Sequence, residues 1–158
     1  MLRSKGFSII ELMVVMLILA VLLGVGAPAF LETVRNNRMI TEVYALRASL
    51  ANAHSEALAR RRTVTVCEST DSLACAADPN AWSEGYLAFV DADGDGVADP
   101  NEIILTRVVT TPDLSITFTA GPGTLGGPGF RPRGDSLGFS GTFTFCDPRG
   151  ATIGAGPS

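Results

Sequence analysis

The stretch DADGDGVADPNE, Asp91 to Glu102, is the segment of this 158-residue chain best equipped for metal chemistry. Calcium takes oxygen ligands, and a twelve-residue loop supplies them from positions one, three, five, seven, nine and twelve, with glycine at six for the turn. Asp91, Asp93, Asp95, the Val97 carbonyl, Asp99 at the water-bridged position and Glu102 fill those places, and Gly96 takes the turn. Ala98 stands at position eight, where such loops usually carry a larger aliphatic residue. The flanks, YLAFV before and IILTRVV after, are strand-like, which excludes a helix-flanked calcium sensor. Two readings stay open: a tight hairpin turn built from Asp and Gly, or a structural calcium site in a strand-flanked loop. No cofactor is required by the chain; structural calcium is the one candidate.

Other reactive residues offer less. Cys67 and Cys75 are eight apart, too far for a C-x2-C zinc knuckle and suited to a small disulfide loop. Cys146 lies on a strand candidate and reads as a buried thiol. His54, the single histidine, has no cysteine or acid at ligand spacing and reads as a surface or packing residue. Without a nucleophile–base pair the chain does not read as an enzyme. GPGTLG, Gly121 to Gly126, fits a dinucleotide fingerprint, but GPGF follows it and a helix cannot start there, so it reads as a flexible loop.

The elements that hold these residues divide the chain. Residues 12–31 contain no charge, roughly 30 Å of helix, the thickness of a bilayer core. Arg3 and Lys5 precede them, which orients the N-terminus to the cytoplasm. A cleaved secretory signal is the competing reading; the run is long for one, and Glu11 sits inside its entrance. Pro28 should kink the helix. From Leu31 to Arg62 the apolar residues Val34, Met39, Val43, Leu46, Leu50, Ala53, Ala57 and Leu58 recur at helical spacing. Glu32, Arg35, Arg38, Glu42, Arg47, Asn52 and Glu56 mostly take the other face, and Arg60, Arg61 and Arg62 close the helix.

Beyond residue 62 the period changes to two. TVTVC, YLAFVD, EIILTRVV, LSITFT and GTFTFC are strand candidates joined by short turns, and Trp82 and Phe89 are candidate core residues. The expected architecture is α+β: one long helix, transmembrane in its first half and amphipathic in its second, packed on a small antiparallel sheet.

KGFSIIE, Lys5 to Glu11, resembles the class III signal of type IV pilins and type II secretion pseudopilins. The resemblance implies a leader of residues 1–6 and cleavage between Gly6 and Phe7. It also implies N-methylation of Phe7 and a role in assembly for Glu11, which would pair with a neighbour's new amine. Residues 7–31 would be the transmembrane and filament-core helix, 32–62 its amphipathic half and 63–158 a periplasmic head. The head resembles the GspH/FimT group of minor pilins and pseudopilins through Cys67 and Cys75, WSEGYLAFVD (82–91), EIIL, FRPRG from Phe130 and the final GTFTFCD. A type IV pilin-like fold follows, with a Cys67–Cys75 disulfide in the oxidising periplasm. The implied partners are the prepilin peptidase and N-methyltransferase, other pilins or pseudopilins, and the inner-membrane assembly platform.

The runner-up function is a DNA-binding minor pilin for natural transformation. Some DNA-uptake members of the group end in a basic G-R-x-R strand, whereas this sequence finishes DPRGATIGAGPS. Arg131, Arg133 and Arg149 are scattered, the net charge is −4, and no DNA-contacting residue is identified.

Overall fold

The computed structural model describes residues 6, 8–78, 81–121, 127–136, 141–150 and 152–155, with backbone alone at 25, 28, 29 and 152–155. Residues 1–38 and 39–158 form two compact units. One helix, α1, runs from Ile9 to Arg60. Leu, Ala, Met, Glu and Arg dominate it, all good helix formers. Leu12 N–H donates to the Ser8 carbonyl at its start (3.1 Å), and Glu11 lies in the first turn, where the helix dipole favours an anion. Helix geometry continues past Pro28. It stops two residues before the expected end: Arg61 adopts φ +54°, the left-handed conformation that terminates helices, and the β-branched run TVTV starts a strand at once.

Among the described residues no helix is long and apolar enough to cross a membrane.

The β-rich part holds two antiparallel sheets instead of the single sheet expected. The first contains β1 (Thr63–Glu68), β2 (Gly85–Asp91), β3 (Ile103–Val108) and β5 (Gly129–Phe130), ordered β3-β2-β1-β5. The second contains β4 (Ser115–Ala120), β6 (Gly141–Cys146) and β7 (Thr152–Ala155), ordered β4-β6-β7. All five strand candidates exist. The two unexpected strands, the dipeptide β5 and the small-residue TIGA of β7, lack the alternation or bulk that betrays a strand in sequence. Strand β7 lies beyond Cys146, so the head does not end at its GTFTFC strand.

Strand β2 is buried on both faces, which explains its near-continuous apolar run. Tyr86, Ala88 and Val90 join a large cluster with Met39, Leu46, Ala53 and Ala57 of α1. Leu87 and Phe89 face the other way, into a smaller cluster with Cys67 and Ala98. Trp82, on a single 3-10 turn from Ala81 to Ser83, joins the sheets. Its ring meets Phe143 of β6 edge-on at 4.8 Å and lies 6.0 Å from both Phe118 of β4 and Tyr86 of β2. Ser83 reinforces the link, its Oγ accepting from Ile116 N–H at 2.9 Å.

Candidate functional site

Four features carry the chemistry that the sequence singled out. The first is the start of α1. Gly6 and Glu11 are exposed, and Phe7 lies outside the described residues. Every large hydrophobic described between Ile9 and Leu31 is exposed, from 46% at Val15 and Leu19 to 77% at Ile9. A helix that is apolar all round needs lipid or other helices around it. Glu11 therefore offers a carboxylate on an otherwise apolar surface, suited to pairing with a cation from outside.

The acidic loop joins β2 to β3 and is flanked by strands, so no helix-loop-helix exists here. Gly94 (φ +86°) and Gly96 (φ +76°) take conformations other residues resist. Each aspartate caps a backbone N–H: Gly94 N donates to Asp91 Oδ1 (2.7 Å), Asp95 N to Asp93 Oδ1 (3.3 Å) and Val97 N to Asp95 Oδ1 (2.8 Å). Of the six ligand positions, Asp91, Asp93 and Asp95 converge, each contributing an oxygen within 4.8 Å of the others. Oxygens about 2.4 Å from one calcium ion lie up to roughly 5 Å apart, so this spacing fits. Glu102 folds back on the loop's start: its Oε1 accepts from Ala92 N–H at 2.8 Å, and its Oε2 is buried with no hydrogen-bond partner. The Asp99 carbonyl accepts from Glu102 N–H (2.9 Å). Ala98 at position eight is buried against Leu87 and Phe89, which explains its small size.

The third feature is the disulfide knuckle. Cys67 and Cys75 are bonded, their Cα atoms 5.6 Å apart. Inside the loop, Ser69 is buried and its hydroxyl donates to the Ala74 carbonyl (2.7 Å). Asp71 Oδ1 accepts from Leu73 N (2.8 Å) and Ala74 N (3.1 Å), and these bonds hold its carboxyl below the usual range. A cleft of about 420 Å³ separates knuckle and acidic loop, lined by Cys67, Glu68, Cys75, Phe89, Asp91 and Asp95. Burial pushes the Glu68 carboxyl up, and the Asp78 charge adds to the rise. Cys146 is a half-exposed free thiol, not the buried one expected, because it closes β6 where its sheet meets solvent.

Fourth are the cations. Arg60 pairs with Glu56 at 2.5 Å, and the Arg62 guanidinium donates to the Ala92 carbonyl. Arg131 meets Asp135 at 3.7 Å, and Arg149 pairs with Asp147. Arg60, Arg131 and Arg149 are balanced by neighbouring acids, which weakens the field that phosphate binding needs. His54 packs on the head as expected: Nε2 lies 3.0 Å from the Gly134 carbonyl oxygen and its ring 5.1 Å from that of Phe130. Of the GPGTLG loop only Gly121 is described.

Sequence reasoning missed one residue. Glu42 was assigned to the polar face but is 6% exposed. Its Oε2 accepts from Arg107 at 2.8 Å and its Oε1 from Thr111 at 3.0 Å. That bond holds the Arg107 guanidinium above its ordinary value. Glu42 lies beside Met39, Val43 and Leu46 on the wheel, a position that the helical pattern itself marks as core-facing. Leu58 errs the other way, at 45% exposed.

A continuous helix whose described N-terminal side chains are apolar and exposed, followed by a head of small antiparallel sheets, defines a type IV pilin-like protein of the α+β class. Among known families, the one described as type II transport protein GspH matches residues 42–156. The prokaryotic N-terminal methylation motif matches residues 1–27. The chain therefore belongs to the GspH family. No curated protein matches it, and no solved structure does.

Proposed function

We propose that this chain is a minor pilin or pseudopilin of a type II secretion pseudopilus or a type IV pilus. Prepilin peptidase cuts between Gly6 and Phe7, and the same enzyme methylates the new amine of Phe7. The apolar part of α1 then stays in the inner membrane, with the N-terminus cytoplasmic and the head periplasmic, until the subunit joins the filament. Glu11 pairs with the N-terminal amine of a neighbouring subunit. A charge pair in apolar surroundings specifies register more than it adds stability. The chain does no chemistry of its own in this reading. The exposed apolar start of α1, lying largely within the matched methylation motif, carries it. Mass spectrometry of the protein from its native membrane tests it: the expected mature N-terminus is methyl-Phe7, and any other start overturns it. Deleting the gene and assaying exoprotein secretion, twitching and transformation in parallel separates the systems. Loss of secretion alone assigns type II secretion; loss of transformation with retained secretion favours the DNA-binding alternative.

A second reading concerns the acidic loop. The convergence of Asp91, Asp93 and Asp95 supports a structural calcium site. Calcium would neutralise the mutual repulsion of these carboxylates and staple the β2–β3 connection. The full chain in detergent should melt at a higher temperature in millimolar calcium than in chelator, and Asp93→Asn should abolish the difference. An unchanged melting temperature leaves the loop as a turn.

A further inference from the structure

The contact between α1 and the head has two unlike ends. At the C-terminal end, Ala53 and Ala57 are buried to 1% and 0% exposure, and small side chains bring the backbones close. Helix α1 ends at Arg60 and β1 starts at Thr63, so this end is fastened covalently. The opposite end, around residues 39–46, has no such connection nearby. Met39 and Leu46 are buried, Val43 is half-buried, and the neighbouring Ile40 and Tyr44 are exposed. Apolar contact here is a narrow stripe with solvent beside it, the kind of margin that opens locally.

Glu42 sits within that margin. It splits its two oxygens between different parts of the head: Arg107 on edge strand β3 of the first sheet, and Thr111 in the segment leading to β4 of the second. One buried carboxylate thus ties the helix to the first sheet and to the connection between sheets. A further polar contact follows two turns on, where Ser49 Oγ lies 3.2 Å from Tyr86 Oη. The Ser49 contact joins neutral groups; the Glu42 contacts include a charge-assisted bond from a partly exposed guanidinium (35%) to a buried carboxylate (7%), which is stronger and directional. Apolar packing does not fix orientation in this way, because it is non-directional.

We propose that Glu42 is a positioning residue, a latch that holds the N-terminal end of the helix–head contact shut. With the latch cut, residues 39–46 undock from the head while residues 53–60 stay docked. The bend falls within α1 between residues 46 and 53. On the filament reading given above, the latch fixes the head to the same helix that carries Glu11, and an open latch disrupts assembly. The opening itself is independent of that reading.

Amide hydrogen exchange on the full chain in detergent micelles tests the latch. Glu42→Gln keeps the side-chain shape and removes the charge; Thr111→Val removes one arm with little risk to folding. Exchange across residues 39–46 should rise about tenfold or more in Glu42→Gln and about threefold in Thr111→Val. Exchange across residues 53–60 and in β1 and β2 should stay at the wild-type rate. A rise of equal size in both ends of the helix overturns the latch, since Glu42 would then supply global stability. No rise in either variant overturns it too, because the apolar stripe alone would hold that end. If Glu42→Gln does not fold, the pair supplies global stability and the latch is likewise refuted, with Thr111→Val serving as the independent check.

Discussion

Single residues show how far local environment departs from residue type. Glu68 is a carboxylate half-buried in the cleft beside the disulfide, and its proton is held more tightly in the folded chain than in the unfolded one. A raised carboxyl disfavours the folded state once ionised, so the penalty is complete above its folded value and vanishes below about 4.5, the unfolded one. Glu68→Gln should therefore raise the melting temperature at pH 7, with the gain shrinking as the pH falls through the folded value and gone below about 4.5. Thermal melts of both forms across pH 3–8 read this directly. Gly134 shows a backbone constraint. At φ +82° a Cβ would sit 2.8 Å from His54 Nε2 and 3.0 Å from Leu58 Cδ2. Gly134→Ala should cost about 1–3 kcal/mol in denaturant unfolding, and His54→Ala should recover part of the loss by removing the closest clash.

At the scale of elements, the knuckle and the acidic loop are both small structures held by their own polar groups. The knuckle combines a disulfide with Asp71, whose carboxyl is depressed by bonds from Leu73 and Ala74. A depressed acid contributes stability above its unfolded value, near 3.8, and the contribution is lost as pH falls through the lower, folded one. Asp71→Asn should consequently lower stability at pH 7, with the difference shrinking as the pH falls through the folded value below 3.8, measured with the disulfide intact in both forms. The cysteine spacing made the loop legible in sequence, since a ring of that size closes without strain on the chain. The role of Asp71 was not legible, because Asp in a loop reads equally well as a solvated charge. The acidic loop was readable as strand-flanked for a simple reason: short runs of aromatic and β-branched residues bounded by turn residues stand on both sides. Which oxygens converge depends on side-chain direction, and Glu102 turned back to Ala92 instead of joining the three aspartates.

At the scale of the whole molecule, Trp82 is the piece that holds two sheets on one core. It touches rings from both and is 1% exposed. Trp82→Ala should cost about 3–5 kcal/mol by opening a cavity between the sheets. It should raise amide exchange in β4 and β6 ahead of β1, whose pairing with β2 does not pass through the indole. Equal exchange increases throughout the head would show instead that both sheets open as one unit.

Consecutive residues were enough to read the long helix, its apolar beginning, the five main strands, the Cys67–Cys75 bridge and the N-terminal methylation motif. Those features are local: periodicity, charge-free length and short-range spacing are written in consecutive residues. Tertiary structure decided that the strands split into two sheets, that β5 and β7 exist, that Cys146 reaches solvent and that Glu42 is inside. Each of these depends on a partner distant in the chain. Glu42 is 65 residues from Arg107 and 69 from Thr111. A carboxylate on a helix reads as a surface charge until a guanidinium from another element makes its burial tolerable.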